Sequence, residues 1–414
     1  MRRVSSATAN NDIQYNLRLQ ESKANNLNNQ LGSQNRLQQL RDDPLAAGHL
    51  VRYQSYATRV EQFEKNAKII SDDFTVAEGY VNHSVQIMQR VRELAVNGAN
   101  GLYQKEDLKN MAVEVDELLK ELIQNSNAIG PDGTRLFAGT RTSNIAFETE
   151  TGYVKGSSEP LITSVRYSGS IGQKEIEIDE QNHIALDKTG NSIFWAEKQQ
   201  LVSSADASRY IVRQESKIAV NGAEIKLQPG DNVHSIISKI NNSGTAVKAS
   251  LDPITKGLNL ETTDSRQLWL EDVQGSALKD LAIIKDSSQR PPYNLSNSVT
   301  VSGGSLFDAV ISLRDSMLSG DTESIGGRVL GALDNGIGNL ITKQAEIGSN
   351  YVRAQEAIAK AQTNQLGATN LIAREGDLDF TKAITDMKML EYVKQATLST
   401  AGRLYESSLL NYMR

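Results

Sequence analysis

From Pro44 to Asn97 apolar side chains return every three or four residues, and no proline or turn cluster interrupts the run. Leu45, Tyr53, Val60, Phe63, Ile70, Phe74, Val81, Met88 and Ala95 carry it. That spacing lines one face of an α-helix. A seam of this length needs an equally long partner, so the chain is expected to be elongated and rod-like rather than compact. Its start is marked chemically. Asp43 can accept a hydrogen bond from the first free amides of a helix, and Pro44 suits the first helical position, where a missing N–H costs nothing.

The two chain ends repeat the pattern in weaker form. Ile13, Leu17, Ala24, Leu27 and Leu31 keep three-four spacing among Gln20, Asn25, Asn26, Asn28 and Asn29. Isolated helices so poor in apolar residues are marginal in water, so residues 1–43 are expected to be an arm that folds on assembly. Residues 377–414 answer it. Ile384, Met387, Leu390, Val393, Leu398, Ala401, Leu404 and Leu409 form a stripe without proline, which predicts a helix of about 35 residues, roughly 50 Å long. Leu17, Leu27, Leu31, Ile384, Met387, Leu398 and Leu404 are therefore the candidate assembly seam, and Asp43 with Pro44 the helix start.

Between the ends the period changes. A second amphipathic helix carries Leu108, Val115, Leu119 and Leu122, ends near Asn127 and meets the turn Gly130-Pro131-Asp132-Gly133. Residues 44–147 thus make the N-terminal half of a helical domain. From about 148 short alternating runs replace the helical spacing, as in 164–167 and 174–178, with one short helix over 233–240. Pro291-Pro292 and Ser302-Gly303-Gly304-Ser305 mark the exit from this strand-rich insertion at 304. Helical spacing resumes over 305–376 with Phe307 to Leu318 and then from Ile325, and Gly367 to Asp377 is expected to break the second helix before the last one begins. The fold class is α+β: a long helical coiled coil or bundle formed by both termini around a central inserted domain.

Composition narrows the function. Over 414 residues aromatics make up 5 % and the hydrophobic fraction is 39 %, lean for a compact enzyme. A net charge of -6 with mixed signs offers no basic stripe for nucleic acid. Without cysteine there are no disulfides, thiol nucleophiles or thiolate metal sites. His49, His83, His183 and His234 form no His-Glu-x-x-His motif, and Gly326-Gly327-Arg328 lacks the Lys-Ser/Thr of a phosphate loop. No catalytic, cofactor-binding or metal-binding residues are expected. Residues 1–10 hold two arginines without an apolar stretch behind them, and no run of about twenty apolar residues occurs, so neither a Sec-type signal nor a membrane span is expected.

Five stretches in order resemble the bacterial flagellin superfamily. They are Asp42-Asp43-Pro44-Leu45-Ala46, Arg92-Glu93-Leu94-Ala95-Val96, Leu136-Phe137-Ala138-Gly139-Thr140, Ile347-Gly348-Ser349 and Asp379-Phe380-Thr381-Lys382-Ala383. The ending Ser408-Leu409-Leu410-Asn411-Tyr412-Met413-Arg414 and the proline at 44 are similar to the superfamily's hook–filament junction subunits. Residues 217–284 resemble the flagellin hook IN module through Asn221-Gly222, Ile240-Asn241-Asn242 and Gly257-Leu258-Asn259-Leu260.

The resemblance implies a non-enzymatic structural adapter, secreted by type III export and placed in the flagellum, external or periplasmic, as a homo-oligomeric ring. Its implied partners are a neighbouring hook-associated protein, flagellin, and an export chaperone on the C-terminal helix. Two alternatives stand beside this. One is a filament flagellin, and the other a secreted adhesin or effector whose coiled coil displays the insertion.

Overall fold

The computed structural model describes residues 6–412 apart from 40, 173, 187, 188, 286–288 and 292. Pro292, Met413 and Arg414 therefore lie outside the described residues. The order is α1 (Ser6–Ser33), α2 (Pro44–Ala99), α3 (Lys105–Ser126), β1 (Phe147–Tyr153), β2 (Pro160–Tyr167), β3 (Lys174–Asp179), β4 (Asn182–Leu186), α4 (Gly190–Ile193), β5 (Gln200–Ser203), β6 (Ser216–Val220), β7 (Ala223–Leu227), α5 (Val233–Asn241), β8 (Val247–Leu251), β9 (Leu258–Thr262), β10 (Leu270–Gln274), α6 (Ala277–Asp280), β11 (Val299–Ser302), α7 (Leu306–Ser319), α8 (Thr322–Ser324), α9 (Leu330–Gly376) and α10 (Phe380–Tyr412). The fold is α+β, with long helices from both ends and strands in the middle. Compact units divide within α2 and α9: one joins residues up to Lys65 with those from Ala357 onward, the other runs from Asn66 to Glu356.

The second unit holds the large helical core. α2 buries Ile70, Phe74, Val81, Met88 and Val91, α3 buries Val115, Leu119 and Leu122, and α7 buries Phe307, Val310, Leu313 and Met317. A capping box starts α7, where Ser305 Oγ accepts the Asp308 amide and Asp308 Oδ2 accepts the Ser305 amide at 2.8 Å. Gly320, at φ +78°, ends it in the left-handed region that a Cβ disfavours. α3 and α7 also share a buried ion pair, Arg314 Nη1 to Asp116 Oδ1 at 2.8 Å. Asp315 takes the other guanidinium edge at 2.7 Å, and Lys120 reaches Asp116 Oδ2 at 2.9 Å.

Among the described residues the strands form four antiparallel sheets, ordered β1-β2, β3-β4, β10-β6-β7 and β11-β5-β9-β8. The last two enclose one core with Ile218, Leu227, Ile236, Ile240, Leu258, Leu260 and Leu278 at its centre. This core extends beyond 217–284, because Leu201 on β5 belongs to it and Val299 on β11 packs against it. Asn221 and Gly222, at φ 46° and 85°, make the tight turn between β6 and β7. Asn241 holds the outer edge of β8, its amide nitrogen donating to Ala249 O at 3.0 Å and its oxygen accepting from Ala249 N at 2.7 Å.

One expectation needs correction: Gly367 does not end its helix, and α9 runs on to Gly376. A lone glycine costs only about 1 kcal/mol against alanine in a helix. Buried Ala361 and Ala368 on either side hold the helix in its packed face. At its other end α9 is preceded by a π-helical turn over Ile325–Val329, which buries both Ile325 and Val329.

Candidate assembly interface

In the first unit the two chain ends lie side by side and antiparallel. Asn35 bridges to Asp377, Gln20 Nε2 donates to Thr397 Oγ1 at 3.3 Å, and Lys394 Nζ meets Glu21 Oε1 at 3.3 Å. On α1 the less exposed positions are Ile13, Leu17, Gln20, Ala24, Leu27 and Leu31, with Gln30 beside the last. On α10 they are Ala383, Met387, Leu390, Lys394, Thr397 and Ala401. Apart from Gln30, both sets step 4-3-4-3-4, the heptad of a narrow coiled-coil seam.

The turn that joins this pair to α2 and α9 is held through the backbone. Arg36 donates its amide to Gly376 O and its guanidinium to Glu375 O, both at 2.8 Å, and Leu378 N donates to Gln34 O at 3.1 Å. Asp43 closes the arrangement. Its Oδ1 accepts the Ala46 amide at 3.1 Å, capping α2 at Pro44, and its Oδ2 lies 3.3 Å from Arg36 Nη1. The Ala46 amide, helped by Arg36, holds this carboxyl below its ordinary range.

Leu17, Leu27, Leu31 and Met387 thus come together, all half-buried. Ile384 and Leu398 do not join them, remaining 47 % and 50 % exposed. The reason is angular: each follows a seam position, Ala383 or Thr397, by one residue, which is about 100° of helix rotation. Leu404 lies in α10, but its side chain is outside those described. Ala383, Lys394 and Thr397 are seam positions that the sequence pattern missed: Lys394 and Thr397 do not register as apolar, and Ile384 was taken in place of its neighbour Ala383. Only a strict heptad count extended through them would find them.

The pair is weakly buried. Ala383 and Ala401 are its buried side chains among those described, while Tyr15, Leu19, Phe380, Met389, Tyr392 and Val393 stand exposed. Such a surface can pack further helices. Among the described residues no group of three His, Asp or Glu side chains is placed to hold a metal, and no helix is long and apolar enough to cross a membrane.

Residues 4–142 match the model of the bacterial flagellin N-terminal helical region. The chain is 26 % identical to a flagellin of Salmonella muenchen over 269 residues, 62 % of this chain and 50 % of that one. It is 23 % identical to flagellar hook-associated protein 3 of Escherichia coli over 167 residues, 40 % of this chain and 49 % of that one. Among solved structures, flagellar hook-associated protein 3 of Legionella pneumophila aligns with a TM-score of 0.47 at 14 % identity, over 78 % of this chain and 97 % of that one. The chain spans half or less of the length of the Salmonella flagellin, of a flagellin of Treponema pallidum and of a flagellar filament core protein of Treponema maltophilum that it matches. Over residues 4–142 the chain is therefore similar to the N-terminal helical region of the bacterial flagellins.

Proposed function

We propose that the protein is a non-enzymatic structural subunit of the flagellum, an adapter that joins hook to filament through the helices of its two ends. The observation that carries this reading is the α1–α10 pair, which closes on a thin seam and leaves Phe380, Ile384, Val393 and Leu398 exposed on the flanks of α10. An apolar surface of this kind is normally covered by a partner. Each leucine buried there contributes roughly 1.5 to 3 kcal/mol, so several per subunit, repeated around a ring, offset the entropy of ordering the ends. The likeness to hook-associated protein 3 and to flagellins supports the flagellar setting.

In this reading subunits form a homo-oligomeric ring between a hook-associated protein and flagellin. Before type III export a helical chaperone covers the C-terminal helix, and the protein acts outside the cytoplasm. The inserted domain, 148–304, is carried outward from helical halves 44–147 and 305–376.

The test is seeded assembly, with purified protein added to isolated hooks and to filament fragments and viewed by electron microscopy. A short cap confined to hook ends is expected. Leu398→Asp should abolish the cap while the monomer keeps its helical circular dichroism; normal caps from that variant would sink the role given to the exposed flank. A second reading, filament flagellin, is favoured by the match to the Salmonella flagellin, and long filaments growing from the seeds would establish it instead.

A further inference from the structure

Ser302-Gly303-Gly304-Ser305 has the composition of a flexible linker, yet the structure folds it shut. Gly303 sits at φ +83°, and a Cβ there would overlap Lys198 O. Gly304 O accepts two amides, from Ala196 at 3.0 Å and Glu197 at 3.2 Å. One residue on, Trp195 bridges to Ser305, and Leu306 N donates to Phe194 O at 3.1 Å. The segments entering and leaving the β5–β11 region are thus zipped together. They form a neck.

The neck is clasped from α9. Asn339 Nδ2 lies 2.8 Å from Ser192 O, 2.9 Å from Trp195 O and 3.3 Å from Ile193 O, so the two N–H groups of one side-chain amide are shared among three carbonyls of buried residues. One turn earlier, Gly336 gives the neck room to sit against the helix. A Cβ at 336 would overlap Leu306 Cδ2 and stand 3.3 Å from Ala196 Cβ. Beneath the neck the rings of Phe137, Phe147, Phe194 and Phe307 pack at centroid distances of 4.9 to 6.0 Å. A swivel needs backbone free to rotate, and none of these contacts leaves it free.

We infer that Asn339 and Gly336 are positioning residues that lock the β5–β11 region to α9, so that this region and the helices of its unit move as one body. The joint transmits load instead of swivelling, whatever the chain ends assemble with. The carbonyls that Asn339 serves are buried, so its loss leaves acceptors without a donor, a defect that the neck relieves by opening to water.

The absence of cysteine makes the test clean. In the full-length protein, spin labels on Asn110→Cys and Lys248→Cys report the distance between α3 and β8 by pulsed electron resonance. A single narrow distance distribution is expected in the parent. With Asn339→Leu, nearly the same size but without a donor, the narrow peak should be lost to a broad or split distribution, and Gly336→Ala should act in the same direction. A second label pair within the strand region, Lys226→Cys with Lys248→Cys, should stay narrow in every variant and so separates a loosened joint from an unfolded module. A broad distribution in the parent overturns the lock. So does a distribution in Asn339→Leu as narrow as in the parent.

Discussion

The α1–α10 pair and the helical core of α2, α3 and α7 use the same three-four spacing and reach different depths. In the core Phe74, Val115, Leu119 and Leu313 are wholly buried. In the terminal pair the leucines are only half-buried, and Gln20, Lys394 and Thr397 occupy positions that a self-sufficient seam fills with larger apolar groups. Periodicity therefore identifies which face will be covered. Size and polarity along that face decide whether the chain can cover it alone.

The largest expected difference is between Phe74→Ala and Leu27→Ala. Phe74 is fully enclosed, so its removal should cost about 3–5 kcal/mol through lost transfer energy and the cavity left behind. Leu27 loses little contact on truncation, and about 1 kcal/mol or less is expected. Urea unfolding of the monomer, followed by circular dichroism, measures both. Equal losses would break the contrast between the two regions.

Next is the ion pair in the core. Arg314 and Asp116 have side chains only 1 % and 7 % exposed. Arg314→Ala strands a buried carboxylate that Lys120 only partly compensates, and a loss of about 3–5 kcal/mol at most is expected. Replacing both partners, Arg314→Met with Asp116→Leu, should restore most of that stability. A double variant as weak as the single one would mean that packing around Arg314, not its charge, holds α3 to α7.

How much was legible in the sequence follows from where each signal lies. The start of α2 was readable because its cap is local, Asp43 with Pro44, and Ser302-Gly303-Gly304-Ser305 placed the start of α7; the Ser305–Asp308 capping box and the left-handed Gly320 came only with the structure. The turn at Asn221-Gly222 was readable for the same reason. β5 and β11 were not, since Leu201 pairs with Val301 and Leu260, both distant in the chain, and four-residue strands carry almost no periodicity of their own. The Arg314–Asp116 pair was equally hidden, its members being 198 residues apart. In the α1–α10 seam Leu17, Leu27, Leu31 and Met387 could be placed from spacing alone. Ile384 and Leu398 could not, because a tolerance of three to five residues merges two stripes that differ by about 100°.

The smallest expected effects come from two aspartates whose pH responses have opposite signs. Burial raises the Asp272 carboxyl, and the charge of Asp280 adds to it, although the Leu278 and Lys279 amides pull the other way. A raised carboxyl pKa in the folded protein penalises the ionised form. The β10–α6 corner should therefore gain protection as pH falls through that raised value toward the ordinary 3.8, and Asp272→Asn should flatten the response. Asp43 is the reverse case: held low by the Ala46 amide and Arg36, it stabilises the start of α2 above 3.8 and loses that effect as pH falls through its lowered value. Hydrogen exchange at 45–47 and 278–281, followed across this pH range, reads both in one experiment. Protection should fall at the first segment while it rises at the second, and Asp43→Ala should leave the Ala46 amide unprotected at every pH. If both segments move together, global acid unfolding governs them, and the local caps do not set the stability of either region.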